Sequence, residues 1–99
     1  MKLSEIWEQA AKELKWGSRA FYNRKDDSHC ALGAVVHHDK GHQACPMLRG
    51  FPLTDLLDYD TLESLRAFHE LEANDITYLN DGMGWNFIRF AEEAKKLRL

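Results

Sequence analysis

The stretch Leu3-Ser4-Glu5-Ile6-Trp7-Glu8-Gln9-Ala10-Ala11-Lys12-Glu13-Leu14 decides the class of this fold. Its apolar residues Leu3, Ile6, Trp7, Ala10, Ala11 and Leu14 recur at the 3.6-residue period of an amphipathic helix. Ser4 is the expected N-cap, because its hydroxyl can accept a first-turn N–H. Gly17 is the expected helix stop, because glycine tolerates the left-handed turn.

Similar signals recur downstream. A second helix is expected from Ser28 or His29 to about His38, with Gly41 ending it. Gly33 inside it costs about 1 kcal/mol against alanine, so it should mark close approach of a neighbouring backbone. Asp60 and Glu63 have capping-box spacing ahead of Leu62, Leu65, Phe68, His69 and Leu71 or Glu72. Ile76–Leu79 reads equally as strand or helix. Residues 80–84 read as a turn, with Asp81 capping the final helix. That helix, about Trp85 to Leu97, should bury Phe87, Ile88, Ala91, Ala94 and Leu97. No series of alternating strands appears. The expected fold is mainly α: a small single-domain bundle of four or five helices over residues 1–99.

Composition agrees with one ordinary globular domain, at 44% hydrophobic and 29% charged residues with two prolines and six glycines. No apolar run reaches the roughly 20 residues of a membrane span. The charged start, Met1 to Glu8, lacks the apolar core of a signal peptide, so a cytoplasmic protein is expected, with its two cysteines as free thiols. The net charge of −3 divides unevenly: +3 over residues 1–25, −8 over 26–82 and +2 over 83–99. Direct nucleic-acid binding is not expected from so acidic a middle. That middle instead suits a basic protein partner.

Four of the five histidines and both cysteines fall between His29 and Cys45. Cys30 near a helix start could be a nucleophile of lowered pKa, served by His69 and oriented by Asn80 or Asp81. A zinc site could draw on Cys30, His37, His42 and Cys45, but the spacings match no cysteine knuckle. We favour a buried, inert thiol and histidines that complement a helix C-terminus, with no cofactor and no metal. Asn80 and Asp81 read first as turn and capping residues. The N–H groups of Gly82 and Gly84, ahead of a helix, could cradle an anion, which nearby Asp81 opposes. Trp16 and Tyr22 flank basic residues and could stack on a base or peptide, though packing explains them as well.

Two segments together carry a resemblance. Cys30-Ala31-Leu32-Gly33-Ala34 opens a helix, and Ile76-Thr77-Tyr78-Leu79-Asn80-Asp81 precedes a closing helix that ends in Ala91-Glu92-Glu93-Ala94. With the early Trp7, this resembles an uncharacterised family of short phage and actinobacterial proteins that read Cys-x-Leu-Gly-Ala and then Asn-Asp before the last helix. The resemblance implies a shared helical fold and a phage or prophage origin, but no activity. His37 to Asp58 is not part of the pattern. The function expected is a small non-enzymatic phage accessory factor that binds a host protein in the bacterial cytoplasm. Its acidic surface would be Asp55, Asp58, Asp60, Glu63, Glu70 and Glu72. The alternatives are a cysteine-dependent hydrolase or transferase and a small zinc-supported module.

Overall fold

Burial of one helical stripe organises the chain. In a computed structural model, which describes residues 1–41 and 57–99, helix α1 (Leu3–Glu13) buries Leu3, Ile6, Trp7 and Ala10. These four sit at the i, i+3, i+4, i+7 positions that share a face. Ser4 is buried and is not the cap. The cap is Lys2, two residues earlier, and the Lys2 N–H donates to Glu5 Oε1 at 2.9 Å. Gly17 does not end it either. Leu14 is already extended (φ −117°, ψ 150°) and leads directly into a strand.

That strand belongs to a small sheet the sequence did not announce. Strands β1 (Lys15–Trp16), β2 (Tyr22–Asn23) and β3 (Ser28–His29) have two residues each. A two-residue strand is too short to show alternation. β3 is central, parallel to β1 (Trp16 opposite His29) and antiparallel to β2 (Tyr22 opposite His29). The β2–β3 turn uses side chains as surrogate backbone. Asn23 Oδ1 accepts from the Lys25 N–H, and Asp26 Oδ1 from the Ser28 N–H. The Tyr22 hydroxyl donates to Asp27 at 2.7 Å.

Helix α2 (Ala31–Lys40) runs through the middle and buries Ala31, Gly33, Ala34, Val35 and Val36. Gly41, at φ 85°, ends it as expected. Helix α3 (Tyr59–Glu72) follows, with Asp58 rather than Asp60 at its N-cap and Ala73 in the left-handed region at its end. Ile76–Asp81 is helix α4, and Phe87–Lys96 is helix α5. Asn86, not Asp81, caps α5: its side chain accepts from the Arg89 N–H at 3.0 Å. Phe87, Phe90, Ala91 and Ala94 form the buried stripe of α5, whereas Ile88 faces solvent.

The protein is therefore mainly α, with five helices and one three-stranded sheet among the described residues. α1 packs most extensively on α5. At the centre, the Trp7 ring meets Phe68 edge-on at 5.1 Å and Phe90 at 5.0 Å. The Trp7 indole N–H donates to the Ala31 carbonyl at 3.1 Å, which locks α1 to the start of α2. Aromatic side chains with a polar handle do this efficiently, burying a large ring while satisfying its one donor. No helix among the described residues is long and apolar enough to cross a membrane.

Candidate ligand cleft

Asn80 is the residue on which the candidate site is built. It is fully buried, and both ends of its amide are saturated. Its Oδ1 accepts from the Trp16 indole N–H at 2.9 Å and from the Ala31 N–H at 3.0 Å. Its Nδ2 donates to the Gly17 carbonyl at 3.1 Å and to Asp81 Oδ1 at 2.8 Å. An amide offers two acceptor sites and two donors, and all four are used. One side chain therefore joins α4 to β1, to the loop after it and to the first turn of α2.

The loop between β1 and β2 is held at two further points. Asp81 Oδ1 also accepts from the Arg19 N–H at 2.9 Å, where Arg19 sits at φ 71°. At the other side, the Phe21 carbonyl accepts from the Cys30 N–H at 3.2 Å and lies against Gly33. A Cβ at Gly33 would overlap that carbonyl, so the close approach expected of this glycine is real. The Cys30-to-Ala34 segment and the Asn80–Asp81 pair, far apart in sequence, thus meet across one backbone junction.

In front of this junction lies a cleft of about 730 Å³. Phe21, Leu32 and Ile76 give it apolar walls, and Cys30 and Asn80 lie at its base. Arg19, Arg24 and Lys25 supply cations, and Asp81 supplies one carboxylate. Its size falls in the ordinary range for small-ligand pockets, about 300–1,000 Å³.

Among the described residues Cys30 lacks the surroundings of an activated nucleophile. It is the N-cap of α2 rather than a first-turn residue, and its Sγ accepts from the Gly33 N–H at 3.4 Å. Burial pushes its thiol pKa up, and the Asp81 charge adds to that, against the opposing pull of the Gly33 and Leu32 N–H groups. His69 is half-exposed near the end of α3, with Nδ1 3.1 Å from Asp75. Among the described residues it forms no hydrogen bond with Cys30, and neither Asn80 nor Asp81 orients it.

Of the zinc candidates, His42 and Cys45 lie outside the described residues. Cys30 lines the main cleft, while His37 lines a separate groove beside α1. The His37 ring meets that of buried His29 at 5.2 Å, and His29 also packs on Tyr22 at 4.9 Å. Among the described residues no group of three or more His, Cys, Asp or Glu is placed to hold a metal. The anion cradle at Gly82 and Gly84 does not form, because the Gly82 N–H donates to the Tyr78 carbonyl at 2.7 Å as α4 ends.

The acidic set disperses. Asp55 lies outside the described residues. Asp58 pairs with Lys40 at 2.7 Å, and Glu63 with Arg66 at 3.1 Å. Asp60 and Glu70 are exposed on α3. Glu72 turns toward α5 instead, where burial and then the Glu93 carboxylate raise its pKa, opposed by Arg89 and Lys96.

Sequence reasoning does not pick out Arg19, Phe21, Arg24 and Lys25 as site residues. The available signal is the run Arg19-Ala20-Phe21-Tyr22-Asn23-Arg24-Lys25, with basic side chains interleaved with aromatics inside the +3 segment. Comparison with protein-family models, curated proteins and solved structures returned no match.

Proposed function

We propose that this chain is a non-enzymatic binding protein, a phage or prophage accessory factor that engages a basic host protein in the bacterial cytoplasm. The observation that carries binding over catalysis is the use made of the candidate catalytic groups. Asn80 spends all four of its hydrogen-bonding positions on the fold, and Cys30 spends its sulfur on capping α2. A nucleophile is activated by a base within hydrogen-bond reach or by a lowered pKa. Among the described residues no base bonds to this thiol, and burial raises its pKa.

The exposed face of α3 supports a protein partner. Asp60, Glu63 and Glu70 fall at i, i+3 and i+10, which places them on one side of the helix. Tyr59 and Leu71, both large and exposed, stand beside them. Arg66 pairs with Glu63 on this side, and the face stays acidic by two charges; a net charge around apolar contact residues steers a partner of opposite charge and gives it area to bury.

The test compares capture of host proteins by the wild-type chain and by the Asp60→Asn/Glu63→Gln/Glu70→Gln variant. A specific partner lost both in this variant and at about 0.5 M salt supports the reading, because exposed charge pairs are screened there. A partner retained under both conditions overturns the α3 surface. Turnover abolished by Cys30→Ser would overturn the non-enzymatic reading.

A further inference from the structure

We propose that the cleft between the β1–β2 loop, the start of α2 and α4 binds a small organic phosphate, a phosphomonoester with an apolar or aromatic body of nucleotide size. Charge points to this cleft first. Twelve of the thirteen lysines and arginines are described, and Lys15, Lys40, Arg66, Arg89, Lys95 and Lys96 each meet a carboxylate. Of the six that form no ion pair among the described residues, Arg19, Arg24 and Lys25 line this one cleft, and Lys2, Lys12 and Arg98 lie outside it.

Neither neighbouring carboxylate is part of the lining: Asp26 reaches Lys15 at 3.8 Å, and Asp27, which keeps its charge, accepts the Tyr22 hydroxyl. Three cations against the single carboxylate of Asp81 leave the lining positive by two charges. A phosphomonoester carries about −1.5 to −2 charges at pH 7, which matches that excess. A monocarboxylate would leave it half-answered. Arginine's planar fork also suits phosphate oxygens, which it can meet in pairs.

Lining chemistry narrows the ligand further. The same lining holds Phe21, Leu32 and Ile76 beside the cations, which offer an apolar body somewhere to bury. Inorganic phosphate would use the cations and leave these walls wet. Two backbone segments carry the cations: Asn80, Asp81 and the Phe21–Gly33 contact fix the β1–β2 loop that bears Arg19, and the Asn23 and Asp26 side chains fix the β2–β3 turn that bears Arg24 and Lys25. A preformed site loses little of its binding energy to ordering. The site uses none of the α3 carboxylates, so it stands or falls apart from the protein–protein reading.

The test is a titration of the isotope-labelled full chain with adenosine monophosphate, followed by amide chemical shifts. Saturable shifts at residues 19–25, 30–32 and 76–81, with a Kd at or below about 1 mM, are expected. Adenosine and inorganic phosphate should each bind at least about tenfold more weakly, because each satisfies only one half of the cleft. The Arg24→Gln/Lys25→Gln variant should lose about tenfold or more while melting like the wild type, since both side chains are exposed and form no ion pair. No saturable shift at about 5 mM nucleotide overturns the proposal. So does equal affinity for inorganic phosphate, which would mean cations without a pocket. A single-stranded oligonucleotide binding far more tightly than its mononucleotide also overturns it, in favour of a strand-binding surface.

Discussion

Replacing Asn80 by alanine should be the most damaging single change outside the aromatic core. The variant loses three non-local bonds, to Trp16, Ala31 and Gly17, at 2.9, 3.0 and 3.1 Å. The Ala31 N–H is buried and has no water to turn to, which costs about 1–3 kcal/mol. The Trp16 and Gly17 groups are partly solvated, so each loses closer to about 1 kcal/mol. The sum is about 3–5 kcal/mol, against about 5–15 kcal/mol for a whole domain of this size. The expected fall in melting temperature is about 12–20 °C or more. Asn80→Asp separates hydrogen bonding from volume. It keeps both acceptor bonds but turns both donors into acceptors, with a carboxylate placed where Asn80 Nδ2 now lies 2.8 Å from Asp81 Oδ1.

Burial and Asp81 would raise the pKa of the introduced carboxyl above its unfolded value of about 3.9. The stability of Asn80→Asp relative to wild type is then greatest below that value and falls as pH rises through the raised folded-state pKa. Thermal and urea melts of both variants from about pH 4 to 8 provide the assay. A loss under about 1 kcal/mol for Asn80→Ala, or a pH-independent gap for Asn80→Asp, refutes the Asn80 junction.

Four further outcomes rest on particular contacts. Gly33→Ala should destabilise by about 1–2 kcal/mol in urea melts, because overlap with the Phe21 carbonyl outweighs the roughly 1 kcal/mol gain in helix propensity. A stabilised variant would show that the loop does not press on α2. In a Cys45→Ser background, iodoacetamide should label Cys30 negligibly at pH 7 and appreciably only above about pH 9, since burial raises that thiol from its ordinary 9.0. Rapid labelling at pH 7 would return the nucleophile to contention. Glu72→Gln should stabilise the chain at pH 7 by under about 1 kcal/mol, because burial and Glu93 raise the Glu72 pKa. A raised pKa means folding disfavours the charged carboxylate, so the gain should fade as pH falls through the raised folded-state pKa to the unfolded value of about 4.3; a gain that grows on acidification would reverse the assignment. Trp7→Leu should cost about 2–4 kcal/mol through the lost Phe68 and Phe90 contacts and the Ala31 carbonyl left without its donor, read by calorimetry.

The acidic patch shows why surface function is hard to read from spacing. Asp60, Glu63 and Glu70 stay together because they share a helix face. Glu72 leaves them because its own position turns it toward α5 and Glu93. Likewise, the run from Arg19 to Lys25 carries its cations and aromatics openly in sequence. Nothing in that run reveals that Ile76 and Asp81 close the opposite side of a cleft.

The chain's local chemistry determined the helices. Apolar residues at helical spacing wrote α1 and α5, Gly41 stopped α2, and the glycine at position 33 announced a close neighbour without naming it. These are short-range effects, set by side-chain period and backbone freedom within a few residues. Folding alone decided the miniature sheet, the helical state of Ile76–Asp81 and the work of Asn80. Each depends on partners tens of residues away, and a two-residue strand or a lone amide has no periodicity by which to declare them. The amide's four partners exist only once α2, α4 and the first loop have converged.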